Sequence, residues 1–323
     1  MAIEFISKYR GFSKINHLGS KKEPFLFIIS YDKSKIYVEP LKSLSGEIAY
    51  SFDINSRLDI EKKGILEKYP IGYKSYLNYF YRVKEEIKRG NTYLLNLTFK
   101  TKIETNLTLF EIFARAKAPY RLLIDDSFVC FSPECFVTIK DNVISTFPMK
   151  GTIDASIDNA KEKILLDEKE SAEHTMIVDL MRNDLNIVAS NTSVPEFRYI
   201  DKIKAGDKEL LQVSSRVEAK LEDNWSSRLG DILDSLTPAG SITGTPKRKT
   251  VELIDEIEPD SRGLYSGIFG IYDGVNMQSA VIIRAISKEK NSFYYHSGGG
   301  ITIDSDPKSE YQEMLDKIYL PLL

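Results

Sequence analysis

Short strand-like runs follow one another along the whole 323-residue chain, and no internal repeat, low-complexity tract or proline-rich linker separates them. Such a pattern offers no point of division, so it predicts one large domain spanning residues 1–323 rather than a string of modules. In the opening third, Pro24-Phe25-Leu26-Phe27-Ile28-Ile29 and Lys35-Ile36-Tyr37-Val38 alternate with polar turns and read as antiparallel strands. A helix follows, with Leu77, Phe80, Val83 and Ile87 at helical spacing and Gly90 at its C-terminal cap. Residues 92–99 are β-branched and aromatic, as a buried strand requires. Residues 127–140 and 143–148 make two more strands, turned by Asp141-Asn142.

Composition narrows the partners. Lys and Arg number 44 against 47 Asp and Glu, a net charge of -3, so the basic excess that polyanion binding needs is missing and nucleic acid is excluded. The first residues lack the apolar core of a signal peptide, and no apolar run approaches the roughly 18 residues of a membrane span. The expectation is a soluble, cytoplasmic protein without a membrane partner. Cys130 and Cys135 form no CxxC pair and read as small core residues.

Four features carry chemistry. Lys150 stands at a strand end before a glycine turn, in Pro148-Met149-Lys150-Gly151-Thr152. An amine among apolar neighbours loses hydration and its pKa falls, which suits a nucleophile or base; the bland alternative is a lysine snorkelling from a strand end. The Asp141-Asn142 turn brings Glu134 toward Lys150. A two-residue turn opposes Glu134 to Met149, whereas a three-residue turn puts both side chains on one face, as an ion pair or an acid–base couple. Glu170 and Glu173 share one helix face, and Glu310 and Glu313 share another after the helix start Asp306-Pro307. These pairs are either solvated faces or the oxygen donors of a Mg2+ site.

Glycine turns and one arginine complete the set. The loop Gly240-Ser241-Ile242-Thr243-Gly244-Thr245-Pro246-Lys247 lacks the spacing of a nucleotide-binding P-loop, but its amides, like those at Gly298-Gly299-Gly300, can cradle a carboxylate. Arg284, amid Val281-Ile282-Ile283 and Ala285-Ile286, needs an anionic partner, either internal or a bidentate substrate carboxylate.

In this order, the segments resemble the chorismate-utilising enzymes, the family of anthranilate synthase and aminodeoxychorismate synthase large components. They are Ser132-Pro133-Glu134, the Lys150 segment, Lys169-Glu170-Ser171-Ala172-Glu173-His174, Val178-Asp179-Leu180-Met181-Arg182-Asn183-Asp184, the 240–247 loop, Arg262-Gly263-Leu264-Tyr265-Ser266-Gly267, Arg284, and residues 298–313. The resemblance runs from about Gly90 onward. It implies an α/β (α+β) fold: a single domain of two large antiparallel sheets in a sandwich with helices outside and the active site in the cleft. Residues 73–323 would form the catalytic core, and residues 1–72 a shortened N-terminal strand region.

By position, the resemblance implies Mg2+ ligation by Glu173 and Glu313 with Glu170 and Glu310 beside them. It implies a grip on the enolpyruvyl carboxylate by Arg284, Tyr265 and the Gly298-Gly299 backbone, with Thr243, Gly244 and Lys247 as further substrate contacts. Glu134 is then the general acid, and Lys150 the nucleophile of the aminodeoxychorismate branch, forming 4-amino-4-deoxychorismate on the way to 4-aminobenzoate and folate. A separate glutamine amidotransferase subunit would supply ammonia. The sequence departs from that branch at Leu94, where glutamine is common, at His174, where asparagine is common, and at Thr245 and Ala285.

Overall fold

The computed structural model describes residues 3–56, 63–205 and 208–322. In chain order the elements are α1 (Lys8–Ser20), β1 (Phe25–Ile29), β2 (Ile36–Pro40), β3 (Ile48–Ser51), β4 (Leu66–Tyr69), α2 (Tyr73–Lys88), β5 (Leu94–Thr105), α3 (Leu109–Arg115), β6 (Tyr120–Ile124), β7 (Phe128–Ser132) and β8 (Cys135–Lys140). There follow β9 (Val143–Thr146), β10 (Met149–Asp154), α4 (Ala160–Leu166), α5 (Glu168–Val188), β11 (Ser190–Ala205), β12 (Lys208–Lys220), α6 (Leu229–Leu236), β13 (Gly244–Thr245), α7 (Lys247–Ile257), β14 (Ile268–Tyr272), β15 (Met277–Val281), β16 (Ala285–Glu289), β17 (Ser292–Ile301) and α8 (Pro307–Asp316).

The strands form two antiparallel sheets, as the resemblance implied. The first runs β10-β12-β9-β8-β15-β14-β1-β2 with β11 beside β12; the second runs β13-β5-β17-β16-β7-β6-β3 with β4 beside β5. All five residues of β1 are buried. Leu26 and Ile28 pack between the sheets with Leu122, Cys130 and Phe269, whereas Phe25, Phe27 and Ile29 join the helix-side core with Phe12, Ile15 and Leu229. A strand covered on both faces must be apolar at every position, which explains its unbroken run. The strands read in the opening third therefore belong to the shared core.

Three sequence expectations change here. First, α1 occupies a stretch not read as a helix. Gly11 and Gly19 weaken its helical pattern, yet both are packing requirements: a Cβ at Gly19 would lie 1.9 Å from the Ser226 carbonyl oxygen. Second, residues 127–140 are not one strand. Pro133 and Glu134 interrupt it, and the chain passes from the second sheet in β7 to the first in β8. Third, Arg284 does not lie in mid-strand; it marks the return passage from β15 to β16, with φ of 52°.

The two passages run side by side. Val281 N donates to the Glu134 carbonyl at 3.1 Å, and Phe131 N to the Arg284 carbonyl at 3.0 Å. Glu134 and Arg284 are thus fixed at one seam between the sheets. A buried ion pair braces the same region: Arg262 donates to both carboxylate oxygens of Glu258 at 2.9 and 2.7 Å, and to the carbonyls of Ile242 and Asn96. Their side chains are 2% and 3% exposed. Replacing Arg262 with leucine strands a buried carboxylate and two carbonyls, so chemical unfolding should report a loss of about 3–5 kcal/mol; a loss below about 1 kcal/mol would show the pair to be incidental.

Candidate active site

The Asp141-Asn142 turn has two residues, both at positive φ (52° and 60°), which matches the twist of a tight hairpin. Its register pairs Lys140 with Val143 and Thr138 with Ser145. Beyond Thr146 the chain leaves β8, and β10 pairs instead with β12. Between Met149 opposite Ser214 and Thr152 opposite Gln212, one extra residue makes a bulge. Lys150 and Gly151 occupy it, with Gly151 at φ +88°. A bulge re-aims a side chain. Here Lys150 Nζ meets Glu173 Oε2 at 2.6 Å, so its partner is Glu173 and not Glu134.

Glu173 is presented by α5, whose start is capped by Asp167 accepting from Glu170 N at 2.9 Å. Glu170 lies against Gly151, where a Cβ would come within 3.2 Å of Glu170 Oε2. His174, fully buried, shares a hydrogen bond between Nε2 and Ser215 Oγ at 2.7 Å, while Ser215 N donates to the Pro148 carbonyl at 3.0 Å. The imidazole thereby ties α5 to the Lys150 segment. Burial, then the Arg198 cation, pushes its pKa down to about 4, so it stays neutral. That structural duty accounts for a histidine at this position.

The second carboxylate pair rises from α8, which has Pro307 in its first turn and Asp306 accepting from Lys308 N and Ser309 N. A Cβ on Gly299 would lie 3.4 Å from Glu310 Oε2 and 3.5 Å from Glu313 Oε1, so this glycine leaves the pair its room. Glu313 also holds Lys317, one turn on, at 2.6 Å, and Lys317 Nζ donates to the Gly298 carbonyl at 2.8 Å. Sequence reasoning passed over Lys317, although its i,i+4 spacing from Glu313 was the available signal.

Charge sets the protonation states. Burial works to lower the Lys150 pKa, but the Glu173 hydrogen bond and the charges of Glu173, Glu170 and Glu313 outweigh it and hold the ammonium above the usual lysine value. The expected downward shift is therefore reversed. Glu134 moves up: the burial of its carboxyl outweighs the hydrogen bond from Ser241 Oγ and the nearby charges of Arg284 and Lys317. It is a carboxyl suited to keeping its proton, as a general acid requires.

Among the described residues no carboxylate lies within ion-pair distance of Arg284. Its guanidinium stands 5.5 Å from the ring centre of Tyr319, near Tyr265 and Tyr295, in the wall of a cavity of about 600 Å³. Tyr265 is buried, with its ring 4.9 Å from that of His296, and burial pushes its pKa to about 12. The 240–247 loop is bonded largely within the protein. Lys247 is engaged with Asp184 at 2.9 Å and the Leu236 carbonyl at 2.7 Å, and Thr243 Oγ1 donates to the Ala239 carbonyl. Gly244 pairs with Leu95 in the sheet, and a Cβ there would lie 1.9 Å from the Leu94 carbonyl oxygen. All three help build the loop, and Ser241 from the same loop donates to the Glu134 carboxylate. Leu94 is buried against Gly300 and offers only an apolar surface. Cys130 is buried as expected, but Cys135 is partly exposed.

The four glutamates supply hard oxygen donors, which suit Mg2+, a cation that takes few protein carboxylates and completes its shell with water and ligand oxygens. Among the described residues no three acidic, histidine or cysteine groups converge as a ready-made cage. The donor chemistry fits an ion completed by substrate oxygens. No helix among the described residues is long and apolar enough to cross a membrane.

Residues 55–322 match the family described as chorismate binding enzyme. An uncharacterised PabA-like protein of Haemophilus influenzae is 49% identical over 95% of this chain and 95% of its own length. Aminodeoxychorismate synthase component 1 of Bacillus subtilis is 33% identical over 74% of this chain, which spans 53% of that relative. Among solved structures, the menaquinone-specific isochorismate synthase of Escherichia coli superposes with a TM-score of 0.72 at 16% identity, covering 98% of this chain and 82% of that one, a likeness of fold. With the two-sheet fold in place and residues 55–322 matching the family, the chain belongs to the chorismate binding enzyme family.

Proposed function

We propose that this chain converts chorismate and ammonia to 4-amino-4-deoxychorismate, the ammonia coming from a glutamine amidotransferase partner. The observation that carries the reading is Lys150 itself, aimed by a bulge at Glu173 and within the field of Glu170 and Glu313. In the proposed sequence the neutral Lys150 amine bonds to ring carbon C2, the ring double bonds shift, and the C4 hydroxyl leaves as water with the Glu134 proton. Ammonia then bonds to C4, the double bonds shift back, and Lys150 departs as a neutral amine. Glu134 recovers its proton from the new C4 ammonium. The sum is chorismate plus ammonia giving aminodeoxychorismate plus water.

Arg284 binds the enolpyruvyl carboxylate in a fork, with Tyr319 behind the guanidinium and Lys317 adding positive charge. Ser241 fixes the Glu134 carboxyl. Mg2+ held by Glu173 and Glu313, with Glu170 and Glu310 beside them, would offset the ring carboxylate and take Glu173 away from the Lys150 ammonium.

One observation favours a second reading. Glu173 keeps Lys150 protonated, and an ammonium is no nucleophile, so direct amination at C2 giving 2-aminobenzoate is the competitor. Incubation with chorismate, Mg2+ and ammonium, with and without an aminodeoxychorismate lyase, separates the two. 4-Aminobenzoate that depends on the lyase is the expected product; 2-aminobenzoate formed without it establishes the competitor. EDTA should stop turnover and excess Mg2+ restore it; turnover that persists in chelator excludes the metal.

A further inference from the structure

Residues 317–322, after α8, form neither helix nor strand, yet they are tied down along their length. Lys317 Nζ donates to the Gly298 carbonyl at 2.8 Å, and the Pro321 carbonyl accepts from Lys117 N at 2.9 Å. Ile318 is fully buried, and Leu320 and Leu322 pack on the core that holds Ile112, Ala116 and Phe131. Between these anchors Tyr319 turns the other way. With Lys317 it lines the cavity beside α8, where Arg284 also stands.

Aromatic rings, and no carboxylate among the described residues, surround Arg284. Tyr265 comes from the 263–267 turn, Tyr295 from β17 and Tyr319 from the segment after α8, whose ring centre lies 5.5 Å from the guanidinium carbon. The Arg284 Nε is buried and has no hydrogen-bond partner in the protein. An internal carboxylate would satisfy this arginine and compete with any carboxylate guest. A ring face instead attracts the cation through its quadrupole and leaves the N–H edge free to take a carboxylate in a fork. Tyr265 and Tyr295 are buried, whereas Tyr319 is 42% exposed, so its ring is the one open to the cavity.

We infer that the segment after α8 completes the substrate site, with Tyr319 as a positioning residue that holds the plane of Arg284 so that its N–H edge meets a substrate carboxylate. This rests on Arg284 as the carboxylate grip proposed above and is independent of which ring carbon is aminated. The bonds to Gly298 and Lys117 on either side of Tyr319 fix where its ring stands.

Binding tests the role without turnover, by calorimetric titration of chorismate into the protein with Mg2+ and without ammonium. Tyr319→Leu should weaken affinity about fivefold, the scale of a cation–π contact at a partly exposed site, and Tyr319→Phe, which keeps the ring, should rescue it to within about twofold of the parent. Tyr319→Glu sets a carboxylate beside Arg284 and should cost more than about tenfold, the scale of a hydrogen bond to a charged group. The glutamate variant decides the matter even where leucine unsettles the segment. Parental affinity in the leucine or glutamate variant, or a phenylalanine variant as weak as the leucine one, overturns the role of the ring. Parent protein that binds no chorismate defeats the grip assigned to Arg284 instead.

Discussion

Lys150→Ala should lose amination at C4 by more than about 10³-fold, the scale reached when an activated nucleophile is deleted, while the fold stays intact. The side chain is 35% exposed and its ammonium pairs with Glu173, so unfolding should shift by no more than about 1 kcal/mol. Lys150→Arg separates bonding from charge: arginine keeps the cation but cannot add to the ring. If the arginine variant stays within about tenfold of the parent, the covalent role is wrong and Lys150 acts only by its field. In the parent, the amine must lose a proton that Glu173, Glu170 and Glu313 hold tightly, so the rate should climb with pH on the acid side.

Glu134→Gln should cost about 10²- to 10⁴-fold, the usual contribution of a general acid. Glutamine keeps the oxygen that accepts from Ser241, so geometry survives and only the proton is lost. Because burial raises the Glu134 pKa, the parent keeps its acid form past the ordinary carboxylate range and then loses activity as pH rises through the raised value. The glutamine variant should lack that alkaline decline. Stability follows the same sign. A carboxyl whose folded pKa is raised contributes stability at low pH that is lost as pH climbs through the folded value, so the parent should weaken relative to the variant above the normal range for glutamate. If the alkaline limb persists unchanged in the variant, the proton donor is another group.

The sequence revealed β1, β2, β5 and β9, the Asp141-Asn142 hairpin and both glutamate pairs, because each is written in local spacing: alternation, turn residues with positive φ, and i,i+3 positions on capped helices. What it hid depended on distant packing. The glycines of α1 look like helix breakers until Ser226 is seen to press on Gly19. The apolar runs around Glu134 and Arg284 look like plain strands, since passage from one sheet to another leaves the apolar residues on both sides in a core. Lys150 seemed destined for a low pKa because its sequence neighbours are apolar; the groups that decide its charge come from α5 and α8. Ser241 and Tyr319 lie outside any periodic pattern, and only the folded chain brings them to Glu134 and Arg284.

The paired passages between the sheets have a consequence for how the protein fails. Glu134 and Arg284 are carried not on a loop that can melt first but on backbone woven into both halves of the core, and each is bonded to the other's strand. Their spacing cannot relax unless the sheets part. Heat should therefore switch the protein off in one step, with the midpoint of inactivation coinciding with that of unfolding and no warmer range in which a folded but idle form accumulates.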